Sequence, residues 1–79
     1  MKIDGLPDAI VDGKLVVPAG HKIIVLNEID GRQVPCVYLI KKINDDGWVF
    51  AWDETTVHCR SFKLTDSIVA KIMPEGGLQ

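Results

Sequence analysis

Few side chains in this chain are equipped for chemistry. Apart from two methionines, sulfur and imidazole groups come only from Cys36, Cys59, His21 and His58. Their spacing gives neither a Cys-x-x-Cys nor a His-x-x-x-His pair, so no zinc set is written into the chain. His58 and Cys59 are adjacent, and neighbours on a strand project to opposite faces, which argues against joint metal ligation or a thiolate–imidazole pair. The two cysteines therefore read as buried free thiols packed like small apolar groups, with a Cys36–Cys59 disulfide as the alternative. Asp53 and Glu54 place two carboxylates side by side with nothing nearby to position a substrate. Gly-rich phosphate loops, nucleophile elbows and His-Glu-x-x-His helices are absent. The expectation is a protein that is not an enzyme and holds no metal and no cofactor.

The remaining candidates are aromatic and cationic: Trp48, Phe50, Trp52, Arg60, Phe62 and Lys63, read as ligand- or partner-binding. The 79 residues carry a net charge of −2, without the basic excess that dominates nucleic-acid affinity. Charge is nevertheless patterned. Residues 14–43 carry +3 and residues 44–56 carry −4, the acids falling in the stretches that join strands. Such acids are ordinarily solvated turn residues. The longest apolar run, Val34 to Ile40, has seven residues and includes Pro35, far short of the roughly 20 that span a bilayer. The N-terminus lacks a signal-peptide core. No membrane association and a cytoplasmic location are expected.

The elements that must position these groups are strands. Val and Ile number 18 against 10 for Ala and Leu, and branched side chains suit a pleated surface better than a helix. Four Asp-Gly pairs, at Asp4, Asp12, Asp30 and Asp46, supply the positive φ of tight turns. Strands are expected at Lys14–Val17, Lys22–Glu28, Arg32–Lys42, Trp48–Trp52, Val57–Lys63 and Ile68–Met73. Short helical turns are expected at Pro7–Val11 and after a Thr65 or Asp66 cap, where Ile68 and Ile72 are four apart, and the Gly76-Gly77 tail is expected to fray. This spacing of turns suggests a small mainly β barrel or sandwich, one domain over residues 1–79.

A two-residue turn at Asp30-Gly31 pairs Ile29 with Arg32, Val25 with Cys36, Ile24 with Val37 and Ile23 with Tyr38. One face then holds Ile23, Val25, Cys36, Tyr38 and Ile40; the other holds Ile24, Leu26, Val37 and Leu39. Both faces are apolar, and each wants cover, from the chain's own terminal segments or from a second chain. Pro35 cannot donate to a ladder and belongs at an edge or a bulge. A loop of either two residues, Glu54 and Thr55, or four gives one register, pairing Trp52 with Val57 and Trp48 with Ser61. Trp48, Phe50, Trp52, Val57 and Cys59 then share one face; Val49, Ala51, His58, Arg60 and Phe62 share the other. The ring-bearing face is expected to be the core, and exposed tryptophans would instead mark a docking surface.

From Asp30 onward the order of features resembles the WYL domain family: the Asp30-Gly31 turn, the Val34-Pro35 strand, the Trp48-Val49-Phe50 triplet followed by Ala51, and Arg60-Ser61-Phe62-Lys63-Leu64 leading to Ile68. About fifty residues are covered. The resemblance implies an SH3-like β-barrel of five to six antiparallel strands serving as a ligand-sensing or regulatory module, with a nucleotide or nucleic acid bound at basic and aromatic positions. Trp48 and Phe50 stand at the family's Trp and Leu, with Val49 in place of its Tyr; Arg60 and Phe62 fall on its Arg-x-Phe pair. The segment after Leu64 is one residue longer than the family's ending, and Ser67 replaces its second arginine. The family's usual preceding helix-turn-helix is not expected, because residues 1–29 are too few and too β-rich to hold one.

Two functions compete at this point. One is a stand-alone binding or regulatory module that takes a nucleotide-like ligand, nucleic acid or a partner protein, or self-associates. The other is a small inhibitor, of the kind phages encode, that docks a host enzyme or defence complex. A structural or assembly component is the third reading.

Overall fold

Asp30 and Gly31 both adopt positive φ, 52° and 77°, the pair of values that lets a two-residue turn follow the twist of its strands. That turn joins β3 (Lys22–Ile29) to β4 (Arg32–Ile43) in the expected register, from Ile29 opposite Arg32 to Ile23 opposite Tyr38. The same geometry recurs at Asp12 and Gly13 and folds β1 (Ile10–Val11) onto β2 (Lys14–Leu15). The computed structural model describes residues 5–74 except Asp66; the Asp4 turn, the Asp66 cap and the Gly76-Gly77 tail lie outside the described residues.

Beyond β4 the chain continues as β5 (Trp48–Asp53), β6 (His58–Lys63) and β7 (Ala70–Ile72). The antiparallel order is β6-β5-β4-β3-β7, with β1 and β2 forming a separate two-stranded sheet. The protein is mainly β, and no described residue is helical. Pro7–Val11 and Ala70–Ile72 are extended in place of the expected helical turns, and Ile68 N–H closes one turn onto the Thr65 carbonyl at 3.3 Å. Ala9 N–H donates to the Ala70 carbonyl and Ile72 N–H to the Pro7 carbonyl, so each stretch satisfies its backbone by pairing with the other rather than by coiling. Among the described residues no ladder joins β6 to β7, and the sheet is not a closed barrel.

The inner face carries Ile23, Val25, Cys36, Tyr38, Ile40, Val49, Ala51 and Ala70, all buried, with Ala9 and Val17 folded over them from the N-terminal segment. The chain itself therefore supplies the cover this face requires. On the opposite face Ile24 is fully buried, flanked in register by Val37 and Lys71, while Leu26, Val37 and Leu39 remain partly exposed. Pro35 lies inside β4, yet beyond the end of β5. Val37, two residues later, turns its N–H and carbonyl toward Thr55 and Glu54, so the side from which Pro35 lacks a donor has no strand to serve. A bulge at Lys41 shifts β5 against β4, placing Lys42 opposite Phe50.

The second hairpin departs from expectation. Asp53 pairs with His58, so Glu54–Val57 form a four-residue loop and Trp48 meets Lys63 instead of Ser61. The slip is two residues, which preserves the division of faces. Val57 closes the loop at φ 58°, a left-handed conformation that costs a β-branched residue roughly 1–2 kcal/mol. Val57→Asn is expected to stabilise the protein by about 0.5–1 kcal/mol, read as a rise in the urea midpoint; a fall would show that the exposed isopropyl group contributes more than the backbone strain removes.

Candidate functional site

Alternation along β5 decides what this protein presents. Val49, Ala51 and Asp53 point into the core, at 0%, 4% and 0% exposure, whereas Trp48 and Phe50 are each 40% exposed and Trp52 is half-buried. The expectation that the ring-bearing face is the core is overturned. The small side chains Val49 and Ala51 fit beneath the N-terminal cover, where three large rings side by side would overfill the interior. Cys59 follows the rings outward and is exposed; Cys36 is buried, and both thiols are free.

The six candidate residues consequently divide between two surfaces. Trp48, Phe50, Trp52 and Lys63 lie on the outer face, since Trp48 pairs with Lys63, Phe50 with Ser61 and Trp52 with Cys59. Leu39, opposite Trp52 on β4, extends the apolar surface toward Lys22, whose ammonium meets Glu54 at 3.0 Å. Lys41, Phe50, Cys59, Arg60 and Ser61 border a shallow groove on this side. The result is an aromatic stripe edged by Lys41, Lys42 and Lys63.

Arg60 and Phe62 face the interior side. Phe62 packs against the core, its ring centroid 5.9 Å from that of Tyr38. Between β6 and the segment at Ser67-Ile68 an open cavity of about 220 Å³ is lined by Val25, Asn27, Tyr38, Arg60, Phe62 and Ile68, among others. Asn27 Nδ2 donates to the Tyr38 hydroxyl at 2.6 Å. Burial pushes the Tyr38 phenol above its ordinary value; the Asn27 bond opposes this, and the Asp53 charge adds to the rise.

Asp53 is the polar centre of this end, and its role was not foreseen from the sequence. Its Oδ1 accepts from the Thr55 and Thr56 N–H groups at 3.0 and 3.1 Å, its Oδ2 accepts from the Thr56 hydroxyl at 2.7 Å, and Arg60 Nε lies 3.5 Å away. Arg60 also donates to the Thr56 hydroxyl at 3.2 Å. Burial alone would raise the Asp53 carboxyl; the Thr56, Thr55 and Arg60 bonds outweigh it and hold the group below its ordinary value of 3.8. A buried carboxylate with four such partners organises the loop. The available signal was Asp-x-Thr-Thr at a strand end, an Asx-turn pattern.

Among the described residues no group of three or more His, Cys, Asp or Glu side chains could hold a metal ion, and no helix is long and apolar enough to cross a membrane. No family model matches the chain, and no curated protein or solved structure matches it.

A depressed folded-state value means that Asp53 adds stability above its unfolded value, and that this contribution is lost as pH falls through the folded one. Asp53→Asn is therefore expected to cost roughly 1–3 kcal/mol near neutral pH, and the gap to the native chain should narrow as the pH drops below about 4. Urea unfolding across that range checks it; a gap independent of pH would assign the loss to shape and not to charge.

Proposed function

We propose that this chain is a non-enzymatic binding module that docks a partner protein on the outer face of its sheet. The observation that carries the reading is the outward stripe of Trp48 and Phe50 on a strand whose opposite side is fully packed. Nothing in the core requires these rings, and large aromatics on an otherwise ordered strand are the residue types that anchor interfaces. Lys41, Lys42 and Lys63 supply a charged rim. An overall charge of −2 weighs against the same surface tracking a nucleic-acid backbone. An inhibitor acting on a host enzyme is one form such a module takes; the docking geometry is common to both.

The resemblance to the WYL domain supports a regulatory role and an SH3-like barrel, with β6 and the Ser67-Ile68 segment forming the seam of an incompletely closed one. It also supports a second reading, favoured by the cavity beside Tyr38: a nucleotide-like ligand held by Asn27, Arg60 and Phe62. Arg60 is already engaged by Asp53 and Thr56, which leaves less of its charge for an anion, and the first reading is therefore preferred.

Affinity capture with the native chain and with the Trp48→Ser, Phe50→Ser double variant separates the readings. The variant is expected to stay folded, losing no more than about 1 kcal/mol as a surface change, and to lose a stoichiometric protein partner, each ring contributing about 2 kcal/mol. Retention of the same partner by the folded variant would overturn outer-face docking. Nucleotide-induced shifts of the Asn27, Tyr38 and Phe62 resonances, with no captured protein, would establish the cavity reading in its place.

A further inference from the structure

The two edges of the large sheet are treated differently. At the β7 edge, Pro7–Ala9 pair with Ala70–Ile72, and the Lys71 ammonium meets the Asp8 carboxylate. At the β6 edge no described residue pairs with the strand on its outer side. The direction of the unpaired groups follows from one bond. Leu64 N–H donates to the Gly47 carbonyl, so alternation turns the backbone of Phe62, Arg60 and His58 toward β5 and that of Lys63, Ser61 and Cys59 outward. Three residues thus offer N–H and C=O groups along a strand free of proline and bulges.

Charge indicates what pairs there. The ionised side chains of β6 are Arg60, paired with Asp53, and Lys63; Lys41 and Lys42 lie near it on the outer face, and the acids Asp45 and Asp46 border only the Lys63 end. The one acid of β5, Asp53, is buried and turned inward. Two copies of β6 joined edge to edge would bring like charges together, which disfavours self-pairing. We infer that β6 is a docking edge that accepts an extended, acidic segment of a partner protein as an added antiparallel or parallel strand. The added strand's outer-face side chains then lie beside Cys59 and Ser61, next to Phe50, and its carboxylates on that face meet Lys63 and Lys41. The main-chain ladder supplies affinity and the cations select the sequence. The inference rests on the partner-protein reading above, and specifies how that partner engages.

The test uses the full chain and short peptides that alternate glutamate or lysine with valine, together with a short oligothymidylate. The glutamate peptide is expected to shift the amide resonances of Cys59, Ser61 and Lys63, to bind about tenfold more tightly than the lysine peptide, and to weaken several-fold as salt rises from about 0.05 to 0.5 M. Ser61→Pro removes an outward N–H without removing a bond to β5, and should reduce this affinity by about tenfold or more. Should that variant fail to fold, Lys63→Glu with Lys41→Glu provides the second arm and should reverse the preference between the peptides. Binding of the glutamate peptide undiminished in folded Ser61→Pro, shifts confined to the ring face, preferential binding of oligothymidylate, or a β6-dependent dimer would each overturn the edge inference. Loss of a captured partner in Trp48→Ser, Phe50→Ser but not in Ser61→Pro would overturn the edge while leaving outer-face docking standing; retention by both overturns the two together.

Discussion

A two-residue turn can close only if both of its residues accept positive φ, and at Asp30-Gly31 this local demand sets the position of nearly everything else. It fixes Val25 against Cys36 and Ile23 against Tyr38, and the parity of that register decides which residues of each strand share a face. Because β5 pairs with β4 and β6 with β5, the choice is transmitted outward strand by strand. The bulge at Lys41 changes the offset of β5 without changing which side its residues face, so Val49 and Ala51 reach the same interior as Ile40.

The central hairpin was legible in the sequence because its turn chemistry leaves one register. The division of β5 and β6 into two faces was legible for the same reason of period. What the sequence did not disclose was which face is inside: β3 and β4 are apolar on both sides, so their pattern names no interior, and ring size favoured the wrong side of β5. That interior is settled by the Ala9 and Val17 cover, which pairs across a long sequence separation and leaves no local trace. The two-residue slip of the second hairpin has a nameable cause as well. Asp53 binds two amides and a hydroxyl of the following threonines, and this favours a loop of Glu54–Val57, closed by Asp53 opposite His58, over the register that spacing suggests. Ala70–Ile72 shows the limit of periodicity in short segments, since isoleucines four apart fit a helix turn and a strand equally until a pairing partner is known.

The candidate residues, divided between two faces by the strand period, form two surfaces in space. Trp48, Phe50, Trp52 and Lys63 lie outside; Arg60 and Phe62 line a cavity inside. Arg60 joins the two regions chemically, half-exposed at the strand edge while bonded to the buried carboxylate. Any partner drawing on its charge competes with Asp53 and Thr56, so occupation of the edge and the order of the Glu54–Val57 loop are coupled through one guanidinium.

The pairing of Pro7–Ala9 with Ala70–Ile72 also governs the response of the fold to mechanical tension. Ile72 bonds to Pro7 and Ala9 to Ala70, in antiparallel sense, so the two chain directions leave the sheet from the same end. A pull applied before residue 7 and after residue 72 loads these bonds one at a time, as a zip opens, and not all together as in a sheared pair. The first bonds to part are those that hold Ala9 over the core. Tension transmitted through both ends would therefore peel the N-terminal cover from β7 bond by bond, while the load on β7 passes to β3 through its ladder and the Met73–Lys22 bond.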